Sequence, residues 1–163
     1  MNKIGIITVS DKGSRGERVD ESGPTIRAMV KPLGEVTDYM IVPDDLDLLK
    51  EAMIDMADIK KLNLILTTGG TGFSSRDNTP EATLAVVYKQ TPGLTEAMRA
   101  ESLKKTNRAM LSRAVAGIRN NTLIINLPGS VKAVRECLAV LMPALPHGLE
   151  TLAGRGGECG SAE

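Results

Sequence analysis

Aromatic side chains are nearly absent from this 163-residue chain, which has no Trp, one Phe and two Tyr. Surfaces that stack the bases of single-stranded nucleic acid depend on aromatic rings, so we expect no such surface. An excess of one charge is also lacking, because 20 Lys and Arg residues balance 20 Asp and Glu residues. The chain has no overall field to attract nucleic acid or an anionic membrane, so local groups must hold any anionic ligand.

Cysteine and histidine are scarce as well, at two cysteines and one histidine. No CxxC pattern or Cys/His spacing predicts a zinc site. No GxSxG motif or Ser-His-Asp pattern predicts covalent acyl chemistry. Cys137 falls in a helical pattern and is expected in the core, Cys159 falls in a glycine-rich tail, and His147 stands in a Pro-His-Gly sequence. None of these three residues is assigned a role.

Long hydrophobic runs are missing too, and no stretch approaches the roughly 18 apolar residues that a membrane-spanning helix needs. The chain runs from Met1 directly into a strand pattern without a signal peptide, so we expect a cytoplasmic protein. An apolar fraction of 42% suits one globular domain of this length. We predict that domain over residues 1–153, followed by a mobile C-terminal tail at residues 154–163.

Short β-branched runs alternate with helical patterns along the chain. The predicted strands are Lys3–Val9, Glu35–Val42, Leu62–Thr67, Ala114–Ile118 and Leu123–Asn126. The predicted helix N-caps are Ser22, Asp44 or Asp45, Thr79 and Ser130, with further helices over Leu94–Lys105 and up to Leu152. This alternation indicates an α/β fold, a three-layer sandwich whose mostly parallel sheet is flanked by helices. Asn120-Asn121 predicts a tight turn that joins the last two strands as a late antiparallel pair.

Polar clusters follow four of the predicted strands. They are Ser10-Asp11, Asp44-Asp45, Thr67–Asp77 and Asn126–Ser130. Ligands of open α/β sheets bind beyond the carboxyl ends of the strands, where clusters of this kind meet. We therefore expect one composite site at that end of the sheet.

The most informative cluster is the glycine turn, Thr68-Gly69-Gly70-Thr71-Gly72. Glycines let the backbone approach a ligand closely, and successive N–H groups in such a turn form an anion-binding nest. The threonines add hydroxyl groups. Glycines alone would favour a plain strand-to-helix turn, but three glycines with two threonines at a strand's carboxyl end favour the binding of a phosphate.

Two aspartates stand close to the glycine turn in the predicted fold. Asp77 follows Gly72 by five residues, and Asp44 follows the second strand. A carboxylate beside phosphates needs a cation between them, and Mg²⁺ held by one or two carboxylates is the usual arrangement. Arg76 could pair with a phosphate directly. Helix capping explains both aspartates equally well from spacing alone.

Two later segments are less informative by themselves. Ser112-Arg113 suits a surface turn, and Pro128-Gly129-Ser130 precedes a helix N-terminus, where an anion or a nucleotide can bind. A simple helix cap at Ser130 would also satisfy the sequence.

Taken together, these motifs resemble the molybdopterin adenylyltransferase family. Leu66–Thr83 (LTTGGTGFSSRDNTPEAT) resembles the family signature. Three further stretches agree in the same order along nearly the whole chain, namely Ile7–Asp11, Val42–Asp45 and Leu111–Ser130.

The resemblance implies an enzyme of molybdenum cofactor biosynthesis. In this reaction the terminal phosphate of molybdopterin attacks the α-phosphorus of Mg-ATP, which gives adenylyl-molybdopterin and pyrophosphate. It further implies that Asp44 and Asp77 are essential and position Mg²⁺ and the nucleotide. Residues Thr68, Gly69, Gly70, Thr71 and Gly72 would hold phosphates, Pro128, Gly129 and Ser130 would lie near the nucleotide, and Ser10, Asp11 and Ser112 would lie toward the pterin.

Family members usually form trimers and sometimes hexamers, so a homo-oligomer is implied, as is contact with the molybdenum-insertion enzyme. Two other functions are compatible with the same motifs. One is a non-catalytic molybdopterin-binding carrier or scaffold, and the other is a nucleotide pyrophosphatase. The two retained aspartates argue against the carrier, because a protein that only binds an anion gains nothing from them.

Overall fold

The computed structural model of the chain describes residues 1–156, and they form one six-stranded sheet with helices on both faces. The strands are β1 Asn2–Val9, β2 Gly34–Val42, β3 Leu64–Thr68, β4 Lys89–Gln90, β5 Ala116–Arg119 and β6 Thr122–Leu127. Their order across the sheet is β2-β1-β3-β6-β5-β4. The first four in that order are parallel, whereas β5 is antiparallel to both of its neighbours. The predicted mostly parallel α/β sandwich with a late antiparallel pair is confirmed.

Seven α-helices cover the sheet within the described residues. They are α1 Asp11–Ser14, α2 Ser22–Met29, α3 Leu46–Ile54, α4 Thr79–Val86, α5 Pro92–Leu103, α6 Val131–Leu141 and α7 Leu145–Leu152. A π-helical turn at Asp55–Ile59 extends α3, and a 3₁₀ turn at Asn107–Leu111 follows α5. The short strand β4, helix α1 and the 3₁₀ turn were not predicted, because segments this short carry no hydrophobic period.

The central strands β1, β3 and β6 are buried on both faces, so their side chains supply two separate apolar layers. Ile4 and Ile6 point to one layer, which α2, α5, α6 and α7 complete. Ile7 and Val9 point to the other, which α3 and α4 complete. This two-sided burial explains why the strands read as continuous apolar runs rather than as alternating patterns.

The structure corrects two predicted helix N-caps. Ser22 and Thr79 are the first residues of their helices, and both side chains are buried. Ser22 Oγ donates to Gly129 O at 2.7 Å, and Thr79 Oγ1 donates to Gly69 O at 3.0 Å. Both hydroxyls therefore tie a helix to the far loops instead of capping it. The caps at Asp45 and Ser130 are confirmed, since each side chain accepts a backbone N–H of its own helix.

The end of the described chain folds back on α7. Gly154 adopts a left-handed φ of 73°, and Arg155 N donates to Glu150 O at 2.9 Å. A left-handed glycine directly after a helix is the usual way to close its last turn. The rest of the tail that we predicted to be mobile, with Cys159, lies outside the described residues.

Candidate functional site at the carboxyl end of the sheet

The four parallel strands end side by side, and this carboxyl end of the sheet collects the polar loops. Gly69 N donates to Leu127 O at 3.2 Å, which joins the loops after β3 and β6. Ser10 N donates to Val42 O at 2.9 Å, which joins the loops after β1 and β2. The expected convergence of the four clusters is thus present.

The glycine turn has a backbone that only glycine adopts comfortably. Gly69 and Gly70 have φ values of 95° and 70°. A Cβ on Gly69 would lie 2.6 Å from Val9 O, and one on Gly70 would lie 2.3 Å from Thr79 Oγ1. Both the positive φ values and the close contacts therefore require glycine at these two positions, and the turn packs tightly between β1 and α4.

The threonine hydroxyls of the turn do not all face outward. Thr68 is buried, and its Oγ1 donates to Pro128 O at 2.7 Å. This bond fixes the loop after β6 against the glycine turn, so the Thr68 proton is already used within the protein. Thr67 is buried deeper and accepts from Asn126 Nδ2 at 3.0 Å. These hydroxyls hold the loops together. The backbone N–H groups of Gly70, Thr71 and Gly72 donate no hydrogen bond within the described residues, so they are the groups of the turn that can meet a ligand.

Asp44 is buried beneath the glycine turn, with 7% of the residue exposed. Its Oδ1 accepts from Asn78 N at 3.0 Å, and its Oδ2 points to Gly70, where an added Cβ would lie at 3.1 Å. Burial raises the pKa of the Asp44 carboxyl above its ordinary value, although the hydrogen bond from Asn78 N opposes that shift. The negative charges of Asp77 and Asp11 raise it further.

Asp77 is half-buried on the other side of the turn. Its Oδ2 accepts from Ser74 N at 3.0 Å and lies 2.9 Å from where a Gly72 Cβ would stand. Asp44 and Asp77 therefore flank the glycine turn, one beside Gly70 and one beside Gly72. Asp77 lies close enough for its negative charge to raise the pKa of Asp44. The fold thus brings near each other two carboxylates that are 33 positions apart in sequence.

Asp11 and Arg76 form an ion pair at the mouth of the site. Arg76 Nε and Nη2 donate to the two Asp11 carboxylate oxygens at 3.0 and 2.8 Å. Asp11 Oδ1 also accepts from Asp44 N at 2.9 Å. The Arg76 guanidinium holds the pKa of Asp11 below its ordinary value. In this state Arg76 pairs with a carboxylate of the protein, which any phosphate would have to displace.

Two cavities lie along these loops. The larger one, about 620 Å³, is lined by Ser10, Thr68, Gly69, Gly129 and Ser130, among others. That volume falls in the usual range for ligand sites. The smaller one, about 200 Å³, is lined mostly by apolar atoms and includes Ser112 and Pro128.

Seven of the predicted site residues line one of these two cavities. The other six line neither, and they are Asp11, Asp44, Gly70, Thr71, Gly72 and Asp77. Ser10 shares the larger cavity with Gly129 and Ser130, whereas Ser112 lies in the smaller one with Pro128. Ser112 still reaches the glycine turn through its neighbour, because Arg113 N donates to Thr71 O at 2.8 Å.

One acidic residue of the larger cavity was missed in the sequence. Asp20 Oδ2 accepts from Thr8 Oγ1 at 2.7 Å and from the Tyr39 hydroxyl, and Oδ1 accepts from Ser22 N at 3.1 Å and Gly23 N at 3.2 Å. Burial, with the bond to Asp20, raises the pKa of Tyr39 to about 12. An Asp two residues before a helix start is a capping signal, and it could have identified Asp20 instead of Ser22.

No cluster of three or more His, Cys, Asp or Glu side chains suited to a metal occurs within residues 1–156. Asp44 and Asp77 remain as a pair of carboxylates. Within the described part of the chain, Asp44 Oδ2 and Asp77 Oδ1 accept no hydrogen bond, so each carboxylate keeps one oxygen for a ligand. No helix of this part is both long and apolar enough to cross a membrane.

Comparison with known proteins places this site in a family. Residues 5–147 match the family described as "Probable molybdopterin binding domain". The chain is 45% identical over 156 residues to the molybdopterin adenylyltransferase of Helicobacter pylori strain J99, covering 93% of this chain and 88% of that protein. It is 46% identical over 157 residues to gephyrin of Dictyostelium discoideum, where it covers 90% of this chain and only 22% of gephyrin.

Solved structures share the fold over nearly the whole chain. The molybdopterin biosynthesis enzyme MoaB of Thermus thermophilus superimposes with a TM-score of 0.90 at 48% identity, covering 97% of this chain and all of that one. The tungsten cofactor synthesizing protein MoaB of Pyrococcus furiosus superimposes with a TM-score of 0.83 at 39% identity, covering 93% and 96%.

Proposed function

This chain belongs to the family of probable molybdopterin binding domains, and from that membership we propose that it is the adenylyltransferase that acts on molybdopterin. The reaction belongs to molybdenum cofactor biosynthesis. The observation that carries the proposal is the placement of Asp44 and Asp77 on either side of a glycine turn whose first residues, Thr68 and Gly69, line a cavity of about 620 Å³. The 88% coverage of the Helicobacter pylori enzyme supports the same activity.

The reaction is a transfer between two phosphates. An oxygen of the molybdopterin phosphate forms a bond to the α-phosphorus of ATP, and the bond from that phosphorus to the bridging oxygen of pyrophosphate breaks. No nucleophile from the protein is needed, and catalysis depends on positioning and on neutralising charge. A rigid turn that presents backbone N–H groups suits this requirement better than flexible side chains would.

The two carboxylates fit a magnesium ion. Mg²⁺ takes oxygen ligands and in nucleotide sites binds through one or two carboxylates together with phosphate oxygens. Asp44 Oδ2 and Asp77 Oδ1 are the oxygens that would hold it. When bound, the ion neutralises charge that develops on the phosphates. Asp44 suits this role, because burial disfavours the ionised form of its carboxyl. A cation beside such a carboxylate stabilises the ionised form most strongly.

The two cavities suggest where each substrate lies. Gly129 and Ser130 line the larger cavity at the N-terminus of α6, and we assign the nucleotide phosphates to it. Ser112 lines the smaller, more apolar cavity, and we assign the flat pterin toward that side. Ser10, expected toward the pterin, lines the larger cavity, and Asp11 lines neither. Pro128, expected near the nucleotide, lines the smaller cavity.

Assembly and location stay predictions. We expect a homo-oligomer, a trimer or a hexamer, and exposed apolar side chains such as Val19, Phe73 and Met110 supply surface for such contacts. We also expect a cytoplasmic protein that hands its product to the molybdenum-insertion enzyme. Light scattering on purified protein measures the first of these directly.

The decisive assay follows pyrophosphate release with molybdopterin, ATP and Mg²⁺ present together and with each omitted in turn. We expect pyrophosphate and adenylyl-molybdopterin only in the complete mixture. If the protein binds the pterin with the same affinity whether or not ATP and Mg²⁺ are present, and releases no pyrophosphate, the result would instead indicate a carrier. AMP formed from ATP without pterin would indicate a pyrophosphatase.

A further inference from the structure

Arg113 lies between the 3₁₀ turn and β5, and its half-buried guanidinium contacts two residues of the loop that carries Asp77 and one residue of α4. Nε donates to Gly72 O at 2.7 Å, and Nη2 donates to Asp77 O at 3.0 Å. Nη1 donates to the Glu81 carboxylate at 2.7 and 2.9 Å. Together with the bond from Arg113 N to Thr71 O, these contacts tie one residue to both ends of the loop.

The segment 73–76 between those attachment points is exposed. The backbone hydrogen bonds of this segment are local: Asp77 N donates to Ser74 O, Ser74 N donates to Asp77 Oδ2, and Arg76 N donates to Ser74 Oγ. The ion pair with Asp11 attaches the Arg76 side chain, and not the Asp77 backbone, to the rest of the protein. A bond between residues three positions apart shapes a turn but does not fix that turn against the rest of the protein. The contact from Arg113 to Asp77 O crosses 36 positions in sequence and supplies that fixed point.

Glu81 completes the arrangement from the first turn of α4. Its carboxylate accepts two hydrogen bonds from Nη1 and lies on the helix that begins at Thr79, whose N and Oγ1 bind the glycine turn. The guanidinium is therefore held in one plane between a helix and a loop. Lysine would keep the charge but could not make this planar set of bonds.

We propose that Arg113 is a positioning residue, which fixes the loop from Gly72 to Asp77 so that the Asp77 carboxylate and the glycine turn keep their relative placement. Arg113 itself contacts backbone oxygens and Glu81 rather than substrate. Its effect on turnover rests on the proposed adenylyltransferase function, whereas its effect on the order of the loop does not.

The test uses the purified full chain with Arg113→Lys and a matched control, Arg119→Lys. Arg119 also pairs with a carboxylate and donates to a backbone oxygen, but at the opposite end of the sheet. We expect Arg113→Lys to lower kcat by about 10- to 100-fold and to raise the Mg²⁺ concentration needed for half-maximal activity. The KM for molybdopterin should change by less than about threefold, because no pterin contact is lost. Arg119→Lys should leave these constants unchanged.

Amide hydrogen exchange of residues 71–79 gives a second readout that needs no activity. Arg113→Lys should speed exchange there about fivefold or more, while Arg119→Lys should not. Should Arg113→Lys fail to fold, Glu81→Gln loosens the same guanidinium and should change both readouts in the same direction, less strongly. A loss of kcat with unchanged exchange, or faster exchange with wild-type kcat, would overturn the proposal. An inactive wild-type protein would refute the proposed function, and the exchange data would still decide whether Arg113 orders the loop.

Discussion

Two aspartates lie at opposite ends of the sheet, Asp58 at the amino end and Asp44 at the carboxyl end. The groups that surround their carboxylates differ. At the amino end, Asp58 accepts from Arg119 at 3.0 and 2.7 Å and from Asn120 Nδ2 at 3.0 Å. These bonds, above all the pair with Arg119, hold the pKa of Asp58 below its ordinary value. At the carboxyl end, Asp44 is buried near two other carboxylates, and its pKa is raised.

The difference separates a region whose charges are matched within the fold from the region where we propose that the substrates bind. Asp58 has its charge matched by a guanidinium of the same chain. Asp44 gains no comparable partner within the described residues, since Arg76 forms its ion pair with Asp11. An arrangement that costs stability in the free protein is typical of a site that a ligand completes. Each experiment below tests whether the two ends differ in this way.

The largest expected effect is on turnover. Asp44→Asn and Asp77→Asn should each lower adenylyl-molybdopterin formation by about 100-fold or more, because each removes a charged oxygen that we propose as a ligand of Mg²⁺. Asp58→Asn, the matched change at the amino end, should leave turnover within about twofold of wild type. Initial rates of pyrophosphate release measure all three. Near-wild-type rates in both site variants would remove the assigned roles.

A smaller effect, on the free energy of unfolding, is expected when two different glycines are replaced. One has a positive φ in the glycine turn, and the other lies within a helix. Gly69→Ala should destabilise the protein by about 1–3 kcal/mol, because its φ is positive and its Cβ would meet Val9 O. Gly148→Ala, in α7 with open space around its Cβ, should stabilise it by about 0.5–1 kcal/mol. Urea denaturation of both variants measures the contrast. An equal change in the free energy of unfolding for both variants would mean that the glycine turn does not require glycine at position 69.

The smallest expected effect is on the pH dependence of stability, and its sign differs between the two ends. The folded pKa of Asp44 is raised, so ionisation of Asp44 disfavours folding and its contribution is lost as pH rises through that pKa. Asp44→Asn should therefore stabilise the free protein at pH 7 by about 0.5–1 kcal/mol, with no gain at a pH below 3.8, the ordinary value.

Asp58 should show the opposite behaviour. Its folded pKa is lowered, so its contribution is present above the ordinary value and is lost as pH falls through the folded pKa. Asp58→Asn should therefore slightly destabilise the protein at pH 7 and have less effect in acid. Thermal melts of both variants between pH 3 and 8 measure this, and changes of the same sign at pH 7 would contradict the comparison.

Most of the fold could be predicted because its strands and long helices have strong local patterns. The run from Ile4 to Val9 is buried on both faces, and its continuous apolar sequence predicts a strand. The pair of aspartates could be placed as well, because parallel strands bring their carboxyl ends together. Three short elements, β4, α1 and the 3₁₀ turn, could not be predicted, since their conformation depends on the surfaces they pack against.

The partners of individual side chains were beyond the reach of the sequence. Arg113 suited a surface turn, yet its contacts lie 32 to 41 positions away. Thr68 was interpreted as a hydroxyl for phosphate, yet its proton goes to Pro128 O. Both outcomes depend on which loops become neighbours, and residue type and spacing do not record that.

The sequence by itself determined the alternation of strands and helices, the glycine turn and the acidic residues beside it, because each depends on local periodicity or on backbone freedom at particular positions. Tertiary structure alone decided how the charges pair: Arg76 with Asp11, Arg113 with Glu81, and Asp44 with no cation of the described chain. The physical reason is that a hydrogen bond or an ion pair is set by distances across the fold. The glycine turn belongs to a composite candidate site because β1, β2, β3 and β6 end side by side around it.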